Sequence, residues 1–239
     1  MFFGLFSNKI SLADSNLFKG FTDWHCHLLP GVDDGVKTME ESLQILSLYE
    51  QLGVSDVWCT PHIMEDIPNT SASLKNRFDQ LQSVYIGNIC LHLGAEYMLD
   101  NLFLERLYAD DLLPIGDDEC HLLVETSYFS PPIDLYHTLS QIQARGYYPI
   151  LAHPERYVYM TDSDYNELKK IGVKLQLNLP SLAGMYGKEA KSKAEKLIKK
   201  GFYDFRGTDT HKLSQFEYLT HTKKIKALLL TELSLKQNI

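Results

Sequence analysis

Apolar and polar positions along the chain fall into two alternating rhythms. Short apolar runs of strand length recur: FTDWH (21–25), VSDVWCT (54–60), CLHLGAEY (90–97), HLLVETS (121–127), YYPILAH (147–153), VKLQLNLP (173–180) and FYDFRGT (202–208). Each is rich in β-branched, aromatic or leucine residues, the types that suit a pleated, buried surface. Between them the apolar spacing turns helical. Thr38 to Gly53 opens with Thr38-x-x-Glu41, a capping-box pattern, and gathers Leu43, Ile45, Leu46, Leu48 and Leu52 on one face. Leu74, Phe78, Leu81 and Tyr85 keep helical spacing, as do Leu135, Leu139 and Ile142 between Asp134 and Gly146. Lys188 to Gly201 and Ser214 to about Lys236 complete the helical segments.

Gly53, Gly146, Gly172 and Gly201 each stop a helical segment, and a strand-like run follows each time. That punctuation predicts parallel β/α units. The seven runs predict a closed or nearly closed β/α barrel, with a doubly wound open sheet as the alternative. No Pro/Gly/Ser linker or short repeat divides the chain, so one domain over residues 1–239 is expected, with residues 1–19 as an N-terminal arm.

The acids and imidazoles fall at one end of these predicted strands. Asp23, His25 and His27 end the first, and His62 the second. Glu96 ends the third, Glu125 the fourth and His153 the fifth, while Asp209 and His211 follow the seventh. The sixth, ending near Asn178, offers no obvious ligand. In β/α barrels the C-terminal strand ends share the face that carries chemistry. His25 and His27, two apart in extended chain, share a side of their strand, and Asp209 and His211 repeat that spacing. Mixed imidazole and carboxylate without cysteine suits manganese, iron or zinc at a catalytic site. His25, His27, Asp34, His62, Glu96, Glu125, His153, Asp209 and His211 are too many for one tetrahedral ion and fit two or three. With Asp34, Glu96, Glu125 and Asp209 ionised, two divalent ions and a hydroxide leave the cluster negative. Three leave it positive, which suits a phosphate dianion. Asp33 is an alternative to Asp34, and Asp23 is expected to orient a ligand histidine.

Composition narrows the functions. The chain of 239 residues is 44% hydrophobic and 23% charged, with a formal net charge of -8. That balance argues against nucleic-acid binding, which needs clustered cations, and leaves any anion site to be made positive locally. Cys26, Cys59, Cys90 and Cys120 show no CxxC spacing and are expected to be reduced, mostly buried thiols of a cytoplasmic protein. None has an arginine six residues on, as a cysteine phosphatase loop requires: Val32, Glu65, Glu96 and Thr126 stand there. The opening MFFGLFSNKI lacks a basic n-region and is too short to span a bilayer, so no integral membrane segment is expected. Phe2, Phe3 and Phe6 in it are read as a surface arm. Plain structural roles are expected for His92 in a strand, for His121, His137 and His221 on surfaces or helices, for Asp117, Asp118 and Glu119 in a solvated turn, and for the lysines of 188–200 on an exposed helix face. Tyr128, Tyr157 and Tyr159 are expected either to pack or to line a substrate rim.

The motifs DWHCH, VDDG, TPH, GAEY, VET, AHPER and GTDTH, in that order from about Phe21 to His211, resemble the PHP (polymerase and histidinol phosphatase) superfamily. LLPGVDDG and HPER are most similar to its bacterial CpsB/YwqE-type tyrosine-phosphatase branch. The resemblance implies a distorted seven-stranded, TIM-barrel-like fold with three divalent metal ions, commonly manganese. One ion would take His25, His27, Glu96 and Asp209. A second would share Glu96 and add Glu125 and His153, and the third would take Asp34, His62 and His211. Arg156 of HPER matches a phosphate-contacting position, while only Lys212 supplies a cation after the last DxH. The implied catalytic residues are Glu96, Arg156 and Asp209, with Arg156 and Lys212 binding substrate. The implied reaction is phosphotyrosine hydrolysis by a metal-bridged hydroxide, on a bacterial tyrosine kinase tail that controls capsule or exopolysaccharide synthesis. A histidinol-phosphatase-like phosphomonoesterase is the alternative. C–N hydrolysis is disfavoured because no strand ends in the lysine such sites carboxylate, and a purely structural metal role is disfavoured by the full ligand set.

Overall fold

The computed structural model describes residues 9–116, 118, 120–222 and 224–234. Phe2, Phe3, Phe6, Asp117 and Glu119 lie outside the described residues. Each of the apolar runs contains a strand, and the third is broken in two. In chain order the strands are β1 (Lys9–Ser11), β2 (Phe21–Cys26), β3 (Val54–Cys59), β4 (His62–Ile63), β5 (Cys90–Leu93), β6 (Glu96–Met98), β7 (His121–Glu125), β8 (Tyr148–Ala152), β9 (Lys174–Asn178), β10 (Phe205–Gly207) and β11 (Lys224–Lys226). The helices are α1 (Met39–Leu52), α2 (Ser71–Val84), α3 (Asn101–Ala109), α4 (Leu135–Ala144), α5 (Asp162–Lys170), α6 (Leu179–Leu182), α7 (Gly187–Lys200), α8 (Leu213–Glu217) and α9 (Ala227–Ser234).

The closed seven-stranded barrel is not formed. The strands make a six-stranded sheet in the order β10-β9-β8-β7-β6-β4, a three-stranded sheet β2-β3-β5 and a two-stranded sheet β1-β11. The six-stranded sheet is parallel throughout and curves as a half-barrel, and the three-stranded sheet is also parallel. One cause is local. Thr60-Pro61 ends the second run and Gly94-Ala95 interrupts the third, so β3 gives way to β4 and β5 to β6. Pro61 has no N–H to donate to a ladder. Across these breaks the backbone hydrogen bonds Gly94 N–H to Cys59 O (2.9 Å) and Glu96 N–H to Pro61 O (3.1 Å) keep the pieces together.

The other seam lies between β2 and β10. Backbone pairing there is a single isolated bridge, Cys26 to Thr210. Two backbone hydrogen bonds make that bridge, Asp209 N–H to His25 O (2.8 Å) and His27 N–H to Thr210 O (2.9 Å), and side chains add to it. Asp23 Oδ1 accepts from Thr208 N (2.8 Å), and its Oδ2 accepts from Thr208 Oγ1 (2.7 Å) and Tyr49 Oη (2.8 Å). Gly207 lets the strands approach: a Cβ there would stand 2.5 Å from His25 Cβ and 2.6 Å from Gln176 Nε2.

The space enclosed by the two sheets is filled by Trp58, Ile115, Leu123, Ile150, Ala152 and Phe205, with Trp24 packed against them. Trp24 and Trp58 stack with ring centroids 5.8 Å apart. A larger apolar layer lies outside, where Ile45, Leu46, Leu74, Leu81, Leu139, Ile142, Leu168 and Leu197 press the helices on the sheets. α1 starts at Thr38, whose side chain accepts from Glu41 N, and stops at Gly53 in left-handed backbone (φ 91°). Glu41 does not complete the capping box; its Oε1 accepts from Leu213 N at 3.0 Å and ties α1 to α8. The helix expected from Ser214 to about Lys236 is not continuous: α8, a π-turn at Tyr218–Thr222, β11 and α9 replace it. β11 pairs antiparallel with β1, so residues 9–11 of the expected arm form a strand, and Leu12, Leu17 and Phe18 are buried.

Candidate metal centre

His25 lies in β2 and His27 follows it; Glu125 ends β7; His153 follows β8; Asp209 and His211 follow β10. His62 and Glu96 begin β4 and β6 rather than ending strands, because the breaks at Pro61 and Gly94 fall just before them. Pairing of His62 with Glu96 still brings these two side by side. His153 and Asp209 both hold left-handed backbone, at φ 35° and 50°, a strained state for non-glycine residues of a kind concentrated at functional sites.

Donor atoms from both sheets converge. His25 Nε2 stands 3.1 Å from His27 Nε2 and 3.1 Å from Glu96 Oε2. Both imidazoles approach Asp209 Oδ1, at 3.6 and 3.5 Å. His62 Nδ1 is 3.1 Å from Glu96 Oε2 and 3.1 Å from Glu125 Oε1. His153 Nε2 is 3.0 Å from Glu96 Oε1. Asp34 Oδ1 lies 3.5 Å from both His62 Nε2 and His211 Nε2. Four overlapping groups of metal-ligand atoms result: His27, Asp34, His62 and His211; His25, His27 and Asp209; His25, Glu96 and His153; His62, Glu96 and Glu125. Every ligand expected from the sequence is in at least one of them.

The residues fit metal ions. Glu96 Oε2 and His62 Nδ1 are buried and close, yet neither has a hydrogen-bond partner. A buried acceptor left unpaired is costly, and one aimed with several others at a common point is what a cation satisfies. Electrostatics agree. Burial works against an imidazolium at His25, but the Glu96 and Asp209 carboxylates overcome it and push its pKa up to about 9. Burial likewise opposes ionisation of Glu96 and Asp209, and the neighbouring imidazoles, His25 foremost, hold both carboxyls well below the usual range. The His211 hydrogen bond holds Asp34 low as well.

The structure separates the two neighbouring aspartates. Asp33 Oδ2 accepts from His62 N (3.0 Å) and lies 2.8 Å from His27 Nδ1, and its Oδ1 accepts from Gly35 N (2.9 Å). It therefore orients His27 from behind, leaving Nε2 toward the cluster. Asp34 alone reaches the cluster. Asp23 accepts from His25 N (3.3 Å) as well as across the seam. Burial pushes its carboxyl up to about 6 against those hydrogen bonds.

β9, which looked silent in the sequence, supplies positioning amides. Gln176 Oε1 meets His25 Nδ1 at 3.1 Å, and Asn178 Nδ2 donates to Asp209 Oδ2 at 2.5 Å. Glu155, buried in HPER, accepts from Asn178 N (3.1 Å) and from Tyr203 Oη (2.8 Å). Such amides resemble any polar strand residue, so no sequence signal marked them.

A cavity of about 300 Å³ opens over the cluster, walled by Asp34, Tyr128, Arg156, Tyr186, His211 and Gln215 among others. Arg156 Nη1 donates to Asp209 Oδ2 at 2.9 Å. Its guanidinium is held between the rings of Tyr128 (4.3 Å) and Tyr186 (4.0 Å). Tyr186, from the α6–α7 turn, went unread in the sequence. Lys212 is exposed and is not among the residues lining the cavity.

The remaining residues take structural places. Cys26 is buried, with Sγ donating to Trp58 O (3.3 Å), away from the ligands. Cys59 is buried too, while Cys90 is exposed and Cys120 intermediate. His92 stacks on Trp58 and lies 3.1 Å from Asp56, and His121 opens β7.

The chain as a whole is similar to proteins of known activity. Tyrosine-protein phosphatase YwqE of Bacillus subtilis is 28% identical over 205 residues, covering 83% of this chain and 80% of its own length. Tyrosine-protein phosphatase CpsB of Streptococcus pneumoniae is 28% identical over 204 residues, covering 80% of this chain and 83% of its own. A solved structure from the work on YwqE of B. subtilis and CpsB of S. pneumoniae, described as unique metal-dependent tyrosine phosphatases, superposes with a TM-score of 0.79 at 25% identity. It covers 91% of this chain and 89% of the other. The family model for capsular polysaccharide synthesis, CpsB/CapC, matches residues 21–220, and the chain belongs to that family.

Proposed function

We propose that this chain is a metal-dependent protein-tyrosine phosphatase, with three divalent ions, manganese first and iron or zinc as alternatives, held by His25, His27, Asp34, His62, Glu96, Glu125, His153, Asp209 and His211. The observation that carries the reading is the overlap of the ligand groups: His25, His27, His62 and Glu96 each belong to two of them. Shared ligands favour adjoining ions over one isolated ion. Divalent ions bound there would supply Lewis acidity, making water nucleophilic at neutral pH and offsetting phosphate charge.

The chain's own groups do the rest. Arg156 presents a fixed guanidinium to the cavity and binds phosphate oxygens, which its planar fork suits better than a point charge. Tyr128 and Tyr186 keep that plane from rotating, and Asp209 anchors one edge of it. Asp33, Gln176 and Asn178 fix the ligands His27, His25 and Asp209. A phenolate leaving group, with a phenol pKa of about 10, needs less proton assistance on departure than an alkoxide. The substrate proposed is a phosphotyrosine protein of the cytoplasm, a bacterial tyrosine kinase tail that controls capsule or exopolysaccharide synthesis. The family's printed description as capsular polysaccharide synthesis supports that setting.

The test is hydrolysis of phosphotyrosine peptide, phosphoserine peptide and histidinol phosphate by chelated protein resupplied with Mn, Zn, Fe or Mg in turn. Phosphotyrosine turnover is expected to return with metal and to vanish in His153→Ala and Asp209→Ala. Exclusive turnover of histidinol phosphate would overturn the substrate. Elemental analysis giving only one or two ions per active chain would overturn the metal count.

A further inference from the structure

Beside the cavity, on the same face, lies a second hollow of about 410 Å³ between the start of α4 and the loop after β8. Its rim is apolar and solvated. Ile133 is 101% exposed and Tyr136 40%, with Pro131 exposed beside them. Single exposed apolar residues need no explanation, but a contiguous group around a hollow marks a binding surface. A row of stacked tyrosines connects the hollow to the cavity. Tyr159, which lines the hollow, lies with its Oη 2.6 Å from the Oγ1 of Thr126, the residue after Glu125. Val158 N donates to Tyr128 O at 2.9 Å. The rings of Tyr159 and Tyr157 stack at 5.7 Å, and those of Tyr157 and Tyr128 at 6.0 Å, with Arg156 next in line.

We infer that this hollow seats the polypeptide flanking the phosphotyrosine of a protein substrate, an inference that rests on the phosphatase reading above. The segment that leaves Glu125 forms the cavity wall at Tyr128 and the hollow's rim at Pro131 and Ile133, so one loop borders both surfaces. The two ring-stacking steps correspond to about three or four residues of extended chain, at ~3.3 Å per residue. An apolar side chain at that distance from the phosphotyrosine enters the hollow. Asp134 and Asp164 line it too, and Asp134 makes no cap hydrogen bond to α4. Together with the chain's net charge of -8, they select a basic rather than an acidic neighbour in the substrate.

The metal-loaded full chain is assayed on p-nitrophenyl phosphate and on phosphotyrosine peptides carrying leucine and arginine, or aspartate, within about four residues on either side. The leucine–arginine peptides are expected to be turned over with a kcat/KM roughly tenfold higher than the aspartate peptides, the size of one well-filled apolar pocket. Ile133→Asp and Tyr136→Ala are expected to remove that preference through KM while leaving p-nitrophenyl phosphate turnover within about twofold. Ile86→Asp, a change at an equally exposed residue between α2 and β5, is expected to alter neither. Equal turnover of all peptides, or peptide kinetics untouched by Ile133→Asp, would overturn the inference while leaving the phosphatase reading intact. Failure of the wild type on every phosphotyrosine substrate would overturn both. A concentration-dependent dimer dispersed by Ile133→Asp would give the face to a second copy of the chain instead.

Discussion

Asp33 and Asp34 are chemically identical neighbours with different work. The chain turn between them sends one carboxylate behind His27 and the other to His62 and His211. Asp33→Asn keeps the shape but loses the charge that orients His27. It is expected to weaken metal binding by about 10–100-fold, read by titration with a competing chelator. His25 makes a second expectation. In the metal-free chain its pKa is raised to about 9, so at neutral pH it is protonated, and a metal must displace that proton. Apparent metal affinity therefore rises with pH and levels off above about 9, with proton release on binding fading over the same range. Calorimetry in buffers of different ionisation enthalpy measures both. Arg156→Lys keeps the charge but not the plane held by Tyr128 and Tyr186. A loss of roughly tenfold or more in kcat/KM is expected, and Tyr186→Leu should add little in that background. The cluster of candidate ligands was legible as a residue pattern, since imidazoles and carboxylates recur at run ends. The arginine clamp was not, because Tyr186 comes from a turn whose place over Arg156 is set only by tertiary packing.

At the scale of elements, apolar runs and helix stops located the strands of the two parallel sheets and helices α1, α2, α4, α5 and α7, while β1, β11 and α3 went unread. Pro61, just after the second run, and Gly94, inside the third, each break a ladder and move a candidate ligand from a strand's end to the next strand's start. The C-terminal segment was apolar enough to pass for one helix, and pairing of β11 with β1 drew part of it into a sheet. The seam between β2 and β10 is held by Asp23 rather than by a ladder. Asp23→Ala strips partners from Thr208 and Tyr49 in a buried site and is expected to cost about 3 kcal/mol, measured by urea unfolding of the metal-free chain. Gly207→Ala forces a methyl group against His25 and Gln176. A loss of roughly 2 kcal/mol is expected, with weakened metal binding because the displaced side chain is a ligand.

For the whole molecule, the ligand cluster is also a structural load. His25 and His27 come from the three-stranded sheet, and Glu96, Glu125, His153 and Asp209 from the six-stranded one. Without cations, these buried groups must balance one another through imperfect contacts. Chelation is therefore expected to lower the melting temperature, and each effective metal to restore it in step with activity. A calorimetric scan that is the same with and without metal would refute this. Closure of the barrel was not legible because it depends on the last few hydrogen bonds between runs, which apolar pattern does not encode.

The open seam carries a kinetic consequence. Ions bound to the cluster would bridge two sheets that the backbone itself scarcely joins, acting as the clasp of a split ring. Their escape would then require the ring to part, so off-rates should track the opening of the fold more than ligand strength. Amide hydrogen exchange along β2 and β10 and exchange of a labelled metal ion should share one rate, and Asp23→Ala should quicken both together. The enzyme would hold its metals for as long as its seam stays shut.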